Sequence, residues 1–189
     1  MRVFGVDPGS DRTGYGCIET DGSRHRLIAC GAIATAPRAT FPEKLLTIHE
    51  GLGRLLAKHR PDCVAVESVF YAANVRSALT LGHARGVALL AAVEAGFPVF
   101  EYAPAEIKRA VVGYGRAEKH QVGEMVRLLL GLDAIPEPHD AADALAIAIC
   151  HVHSTGSGAA REAVAEATRA SKGPRGARTP KSWREYRPS

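Results

Sequence analysis

The chain has 189 residues, 46% hydrophobic and 23% charged, enough for one full-sized core and too few for two generous ones. It contains no apolar run of the length, about 18 residues, that a membrane-spanning helix needs; Met1-Arg2-Val3-Phe4-Gly5-Val6 leads into a strand pattern and not into a cleavable leader, so a soluble cytoplasmic protein is expected. The net charge of +4 is uneven: residues 154–189 hold eight Arg or Lys against three Glu, a net +5, which leaves −1 for everything before them. Any nucleic-acid argument for the folded part must therefore rest on local patches.

Three strand-like stretches come first, Val3 to Val6, Thr13 to Glu19 and Leu27 to Thr35, separated by the turn sequences Asp7-Pro8-Gly9-Ser10 and Asp21-Gly22-Ser23. Such short connections favour an antiparallel meander. Phe41 to His59 places Leu45, Leu46, Ile48, Leu52, Leu55 and Leu56 at helical spacing, and Pro61 ends the pattern. Cys63-Val64-Ala65-Val66 is wholly apolar, as a strand buried on both faces would be. A long Ala-, Leu- and Val-rich helix is expected from Asn74 to Ala95, closed by Gly96. A fifth strand follows at Val99 to Tyr102, then helices at Pro104 to Val112, Glu118 to Leu130 and His139 to Val152. Strands and helices alternate from the fourth strand onward, so the expected class is α/β with a five-stranded mixed sheet flanked by helices. The domain is bounded at 1–153. Residues 154–189 change abruptly to Ser, Gly, Ala, Arg and Pro and read as a disordered basic tail. Cys17, Cys30, Cys63 and Cys150 are scattered and form no CxxC pair, which fits buried reduced thiols better than metal ligands.

The chemistry is carried by acids. Asp7 and Glu67 each stand directly after an apolar strand, where the sheet delivers side chains to one edge. Two carboxylates so placed repel unless a cation neutralises them. Asp140 and Asp143 lie at i and i+3 at the start of the last helix. Taken singly, each acid has a structural explanation as a turn residue, an edge cap, an N-cap or a partner of the helix dipole. Asp143 is harder to explain away, because Ala144 to Ile149 is a buried apolar helix with no Arg or Lys near it in sequence. Oxygen ligands with one adjacent imidazole, His139, suit Mg²⁺ or Mn²⁺ better than zinc. Two such ions about 4 Å apart activate water and stabilise the leaving oxygen of a phosphodiester; a single structural ion is the alternative.

Together with these acids, Val6-Asp7-Pro8-Gly9-Ser10, Thr13-Gly14-Tyr15-Gly16, Glu67-Ser68-Val69-Phe70, Pro104 to Lys108, Gly113 to Val122 and Asp140 to Ala148 resemble, in order, the signature of the RuvC family of crossover (Holliday) junction endodeoxyribonucleases. The resemblance spans roughly residues 2 to 152. It implies an RNase H-like fold, with Asp7, Glu67, Asp140 and Asp143 as the catalytic and metal-binding tetrad and Asp7 bridging two Mg²⁺ ions, Mn²⁺ being able to substitute. His139 is an additional candidate ligand, because some relatives carry a histidine at the third acid position; a solvated loop histidine is the other reading.

Phe70 matches an aromatic wedge that stacks on bases at the crossover, against the alternative that it packs under the long helix, and Tyr71 shares either fate. Lys108 and Lys119 match lysines near the scissile phosphate, against solvated helix-face lysines. Arg76, Arg85 and Arg116 are weaker candidates for phosphate contacts. The apolar surface of the Asn74 to Ala95 helix is explained by a core position or by the homodimer that the resemblance implies. The resemblance further implies a nuclease of DNA recombination and repair that nicks two opposing strands of a four-way junction, working with the RuvAB branch-migration complex. Two rival readings are a non-catalytic junction-binding protein and a phosphotransferase of the actin and sugar-kinase kind, which would need a second related domain.

Overall fold

The computed structural model describes residues 1–68 and 74–155. Strands β1 (Arg2–Asp7), β2 (Arg12–Thr20) and β3 (His25–Ala34) form the meander. They are followed by α1 (Phe41–His59), β4 (Cys63–Glu67), α2 (Val75–Glu94), β5 (Val99–Tyr102), α3 (Pro104–Val112), α4 (Lys119–Leu130) and α5 (His139–Thr155). The strand order is β3-β2-β1-β4-β5. β1 pairs antiparallel with β2 and parallel with β4, so it is the strand at which the meander meets the crossover units.

The expected elements are all present, with edges moved by one to three residues. Asn74 is the N-cap of α2 and accepts from the Ser77 N–H through its side chain, and Glu118 is the N-cap of α4. The last helix continues to Thr155, two residues into the stretch assigned to the tail. Among the described residues no helix is long and apolar enough to cross a membrane.

The sheet separates two cores because alternate residues of a strand point to opposite faces. Phe4, Val6, Val64 and Val66 pack against Ile48, Leu52 and Leu56 of α1 and Ala84, Ala88 and Ala91 of α2. Val3, Cys63 and Ala65 face the other way, onto α5, which is flanked by Ile107 and Val111 of α3 and Val122 and Val126 of α4. None of the four cysteines is in a disulfide; Cys17, Cys63 and Cys150 are buried and Cys30 is partly so.

Helix α5 lies unusually close to the sheet. A Cβ on Gly5 would fall 2.0 Å from the Ala144 carbonyl oxygen, and one on Gly14 would fall 2.0 Å from that of Asp140. Only a strand surface without side chains admits a helix backbone at this distance. The acidic start of α5 is thereby held over the carboxyl end of β1.

Candidate active site

Asp7 continues the alternation of Val3 and Gly5, and Glu67 that of Cys63 and Ala65, so both carboxylates face α5 from the ends of adjacent parallel strands. The chain turns immediately after Asp7, and that turn is pinned by Thr13 Oγ1, which donates to the Gly9 carbonyl at 2.8 Å, and by Thr35 Oγ1, which donates to the Ser10 carbonyl at 3.1 Å. Asp7, Glu67 and Asp143 line one cavity of about 270 Å³, together with Lys108, Lys119 and the apolar side chains of Ile107, Val122 and Ile147.

The electrostatics are those of an acid cluster short of positive charge. Burial, reinforced by Glu67 and Asp143, raises Asp7 from 3.8 to about 7, against the pull of Lys119. Glu67 is raised as well, by burial and then by Asp143, while Lys119, a hydrogen bond with Asp7, and Lys108 act in the opposite direction. Lys119 Nζ donates to Asp143 Oδ2 at 2.8 Å, and this bond raises the lysine further above its usual range. The cationic partner that Asp143 lacks in its own stretch of sequence thus comes from the first residue of α4. Its position is fixed by the preceding loop, where the Glu118 N–H and the Tyr114 hydroxyl both donate to Gln121 Oε1, at 2.9 and 2.8 Å.

Of the other expected residues, Asp140 does not line this cavity. It lines a neighbouring hollow with Arg12, Arg76, Ser77 and Thr80, yet its charge still acts on Asp7. His139 is exposed and lines a third hollow with Lys119, His120 and Asp143. Arg116 is exposed. Arg85 is ion-paired with Glu101 of β5, which takes it out of the group of cations free for phosphate. Phe70 and Tyr71 lie outside the described residues.

Among the described residues no three acidic, imidazole or thiol side chains converge into a ready-made metal cage. The donors nevertheless fit a hard divalent cation. They are carboxylate oxygens, they are partly buried, and burial together with their mutual repulsion holds Asp7 well above the usual carboxylate range, a cost that an added cation would relieve.

Comparison with known proteins follows the same lines. Residues 3–151 match the family described as crossover junction endodeoxyribonuclease RuvC. A protein of that name from Trichlorobacter lovleyi is 51% identical over 189 residues, covering all of both chains. Another, from Chloroflexus aggregans, is 52% identical over 154 residues, 82% of this chain and 94% of its own. Among solved structures, Thermus thermophilus RuvC in complex with a Holliday junction substrate superposes with a TM-score of 0.78 at 39% identity, covering 82% of this chain and 95% of that one. The yeast mitochondrial Holliday junction resolvase, 14% identical with a TM-score of 0.57, shares the fold.

Proposed function

The chain belongs to the crossover junction endodeoxyribonuclease RuvC family, and from that premise we propose that it resolves Holliday junctions by nicking two opposing strands, in DNA recombination and repair. The observation that carries the reading is the cavity in which Asp7, Glu67 and Asp143 gather on the α5 face with Lys108 and Lys119 at its wall. Asp7, Glu67 and Asp143, with Asp140 in the neighbouring hollow, would hold Mg²⁺, two ions per site, or Mn²⁺ in its place, and His139 is a further candidate ligand. The bound cation would supply activation of the attacking water and neutralisation of charge on the leaving oxygen.

The protein's own groups position the substrate. Lys108 and Lys119 present positive charge where a scissile phosphate would sit, and the apolar wall of Ile107 and Val122 limits water. Arg76 beside Asp140 and exposed Arg116 extend this phosphate track. The wedge role of Phe70, with Tyr71 beside it, rests on the sequence resemblance.

A junction presents two symmetric strands, and a homodimer would present two sites. Helix α2 supplies a face for it: Val75, Leu79, Leu90 and Val93 are exposed, and Gly82 and Gly86 have open space where a Cβ would be. A cytoplasmic location, cooperation with the RuvAB complex and a DNA-binding role for the basic residues after Thr155 complete the reading.

The test is an end-labelled immobile four-way junction in Mg²⁺, run beside a fork, a duplex and an RNA/DNA hybrid. Cleavage of opposing strands of the junction, absent without divalent metal, is expected. Asp7→Asn removes a ligand charge while keeping the shape and should reduce the rate by at least about 10³-fold, the equivalent of several kcal/mol of transition-state stabilisation. A variant cleaving within about tenfold of the parent would remove Asp7 from the site. Junction binding without cleavage by the unmodified protein would favour the non-catalytic alternative.

A further inference from the structure

Far down α5 from the acids, His151 is fully buried. Its Nδ1 lies 2.7 Å from the Tyr102 hydroxyl and its Nε2 lies 3.2 Å from Cys63 Sγ. The ring packs on Phe100, with centroids 4.7 Å apart. Both nitrogens are thus occupied, and by two different strands: Cys63 opens β4 and Tyr102 closes β5. Burial pushes His151 down to about 4 and the Cys63 thiol up to about 12, and raises the Tyr102 phenol as well, so the whole network is neutral.

An imidazole here has no role in filling space that a leucine could not take over, and burying polar groups stabilises a fold little or not at all even when they are paired. What two directional hydrogen bonds supply is register. Near the acids the helix backbone itself meets the sheet, with Ala144 and Ala148 over Gly5 and Asp140 over Gly14, and the Leu145 side chain lies over Gly16. Apolar contacts of this kind, Leu145, Ile147 and Ile149 included, hold the helix down but are less directional than hydrogen bonds. Asp143 stands eight residues before His151, about 12 Å along the helix axis, and Tyr102 is the direct partner of Glu67 in the sheet. The network therefore ties the helix bearing one acid to the strand pair bearing another.

We propose that His151 is a positioning residue of the active site: bonded to Tyr102 and Cys63, it sets the register of α5 on the sheet and so the placement of Asp143 against Asp7 and Glu67. This rests on the reading of those acids as the metal-binding site.

The decisive experiment measures single-turnover junction cleavage against Mg²⁺ concentration for full-length His151→Leu and Tyr102→Phe proteins, beside thermal melting and metal-free junction binding. His151→Leu leaves the Tyr102 hydroxyl and the Cys63 thiol without their partner and is expected to melt modestly below the parent, to bind junctions normally, and to need about 10- to 100-fold more Mg²⁺ for half-maximal cleavage, the range seen when groups supporting metal ligands are removed. Tyr102→Phe keeps the ring and loses one bond, so it should shift the requirement in the same direction by less, and combined with His151→Leu it should add little. If His151→Leu does not fold, Tyr102→Phe alone carries the test. A folded variant with the parent's Mg²⁺ response overturns the proposal. So does a rate loss that saturating or limiting Mg²⁺ leaves unchanged, or one that simply tracks a loss of melting temperature. These outcomes are separate from failure of the underlying reading, which would show as cleavage by Asp7→Asn whatever His151 does.

Discussion

Helices α2 and α5 are both dominated by Ala, Leu and β-branched residues, yet their surroundings are opposite. From Ala141 to Val152 every residue of α5 is buried except Asp143. Helix α2 buries its small residues, Ala84, Ala88, Ala91 and Ala92, and leaves large ones in the open, with Val75 76% exposed, Leu79 60%, Leu90 59% and Val93 63%. Burying alanines lets α2 lie close against α1, but it leaves much of its apolar surface uncovered within one chain. Apolar content alone does not reveal whether a helix is finished by its own fold or waits for another surface. In α5 the finished packing presents an acid, and the unfinished face of α2 is the one we propose for a second copy.

The sharpest way to break this contrast is to add a methyl or more to glycines on each side of it. Gly5→Val must push α5 away from β1, because even a Cβ there would overlap the Ala144 carbonyl. A loss of about 3 kcal/mol or more is expected, at the upper end of overpacking effects, together with loss of cleavage; chemical denaturation measures it. Gly86→Ala on α2 meets nothing within 4 Å and should instead stabilise the helix, by about 0.5 to 1 kcal/mol from propensity alone. If the two substitutions had equal effects, the close contact of α5 with the sheet would be wrong.

A charge on the open face of α2 comes next in size. Leu90→Glu, or Val93→Glu, should leave melting of the dilute monomer within about 0.5 kcal/mol of the parent, as exposed substitutions generally do. It should weaken self-association by at least about 100-fold, since an unpaired charge buried in an interface costs several kcal/mol. Sedimentation velocity across a concentration series separates the two readouts. Unaltered association would move the interface elsewhere.

Much of this is legible in the sequence, and the gaps have physical causes. Asp7 and Glu67 can be read because each ends an apolar strand, and Asp143 because an acid inside an apolar helix needs an explanation. The partner of Asp143 cannot be read: Lys119 is 24 residues away and meets it only because α4 folds back along α5. The i, i+3 spacing puts Asp140 on the face of Asp143, but residues three apart on a helix still diverge by about 60°, and the two acids line different hollows. His151 sits in a short His-rich stretch near the end of the last helix and carries no pattern of its own. Its partners lie 49 and 88 residues away. The glycines of β1 and β2 look like weak strand residues until the helix backbone above them is seen.

A further effect is on the pH dependence of stability without metal, small in the parent because two slopes oppose, and it sets the acid end of α5 against its histidine end. Asp7 has a folded-state value near 7 against 3.8 as its ordinary one. Between those values the folded protein holds a proton that the unfolded chain has released, so this group's contribution is full below about 3.8 and is lost as pH rises toward 7. His151 runs the other way. Its folded value is about 4 against 6.5, so the unfolded chain holds the extra proton, and the contribution present above 6.5 is lost as pH falls toward 4. Each slope is on the order of 1 kcal/mol per pH unit, and across the shared interval they oppose one another. Asp7→Asn should remove one slope and uncover the other. Relative to the parent in a chelator, the variant should gain stability steadily as pH rises from about 4 to 7, while His151→Leu should gain relative stability as pH falls. Urea titrations at half-unit pH steps measure both. A constant difference between Asp7→Asn and the parent over this range would mean that Asp7 titrates as an ordinary carboxylate, and that the acids at the end of β1 and the start of α5 do not share one electrostatic site.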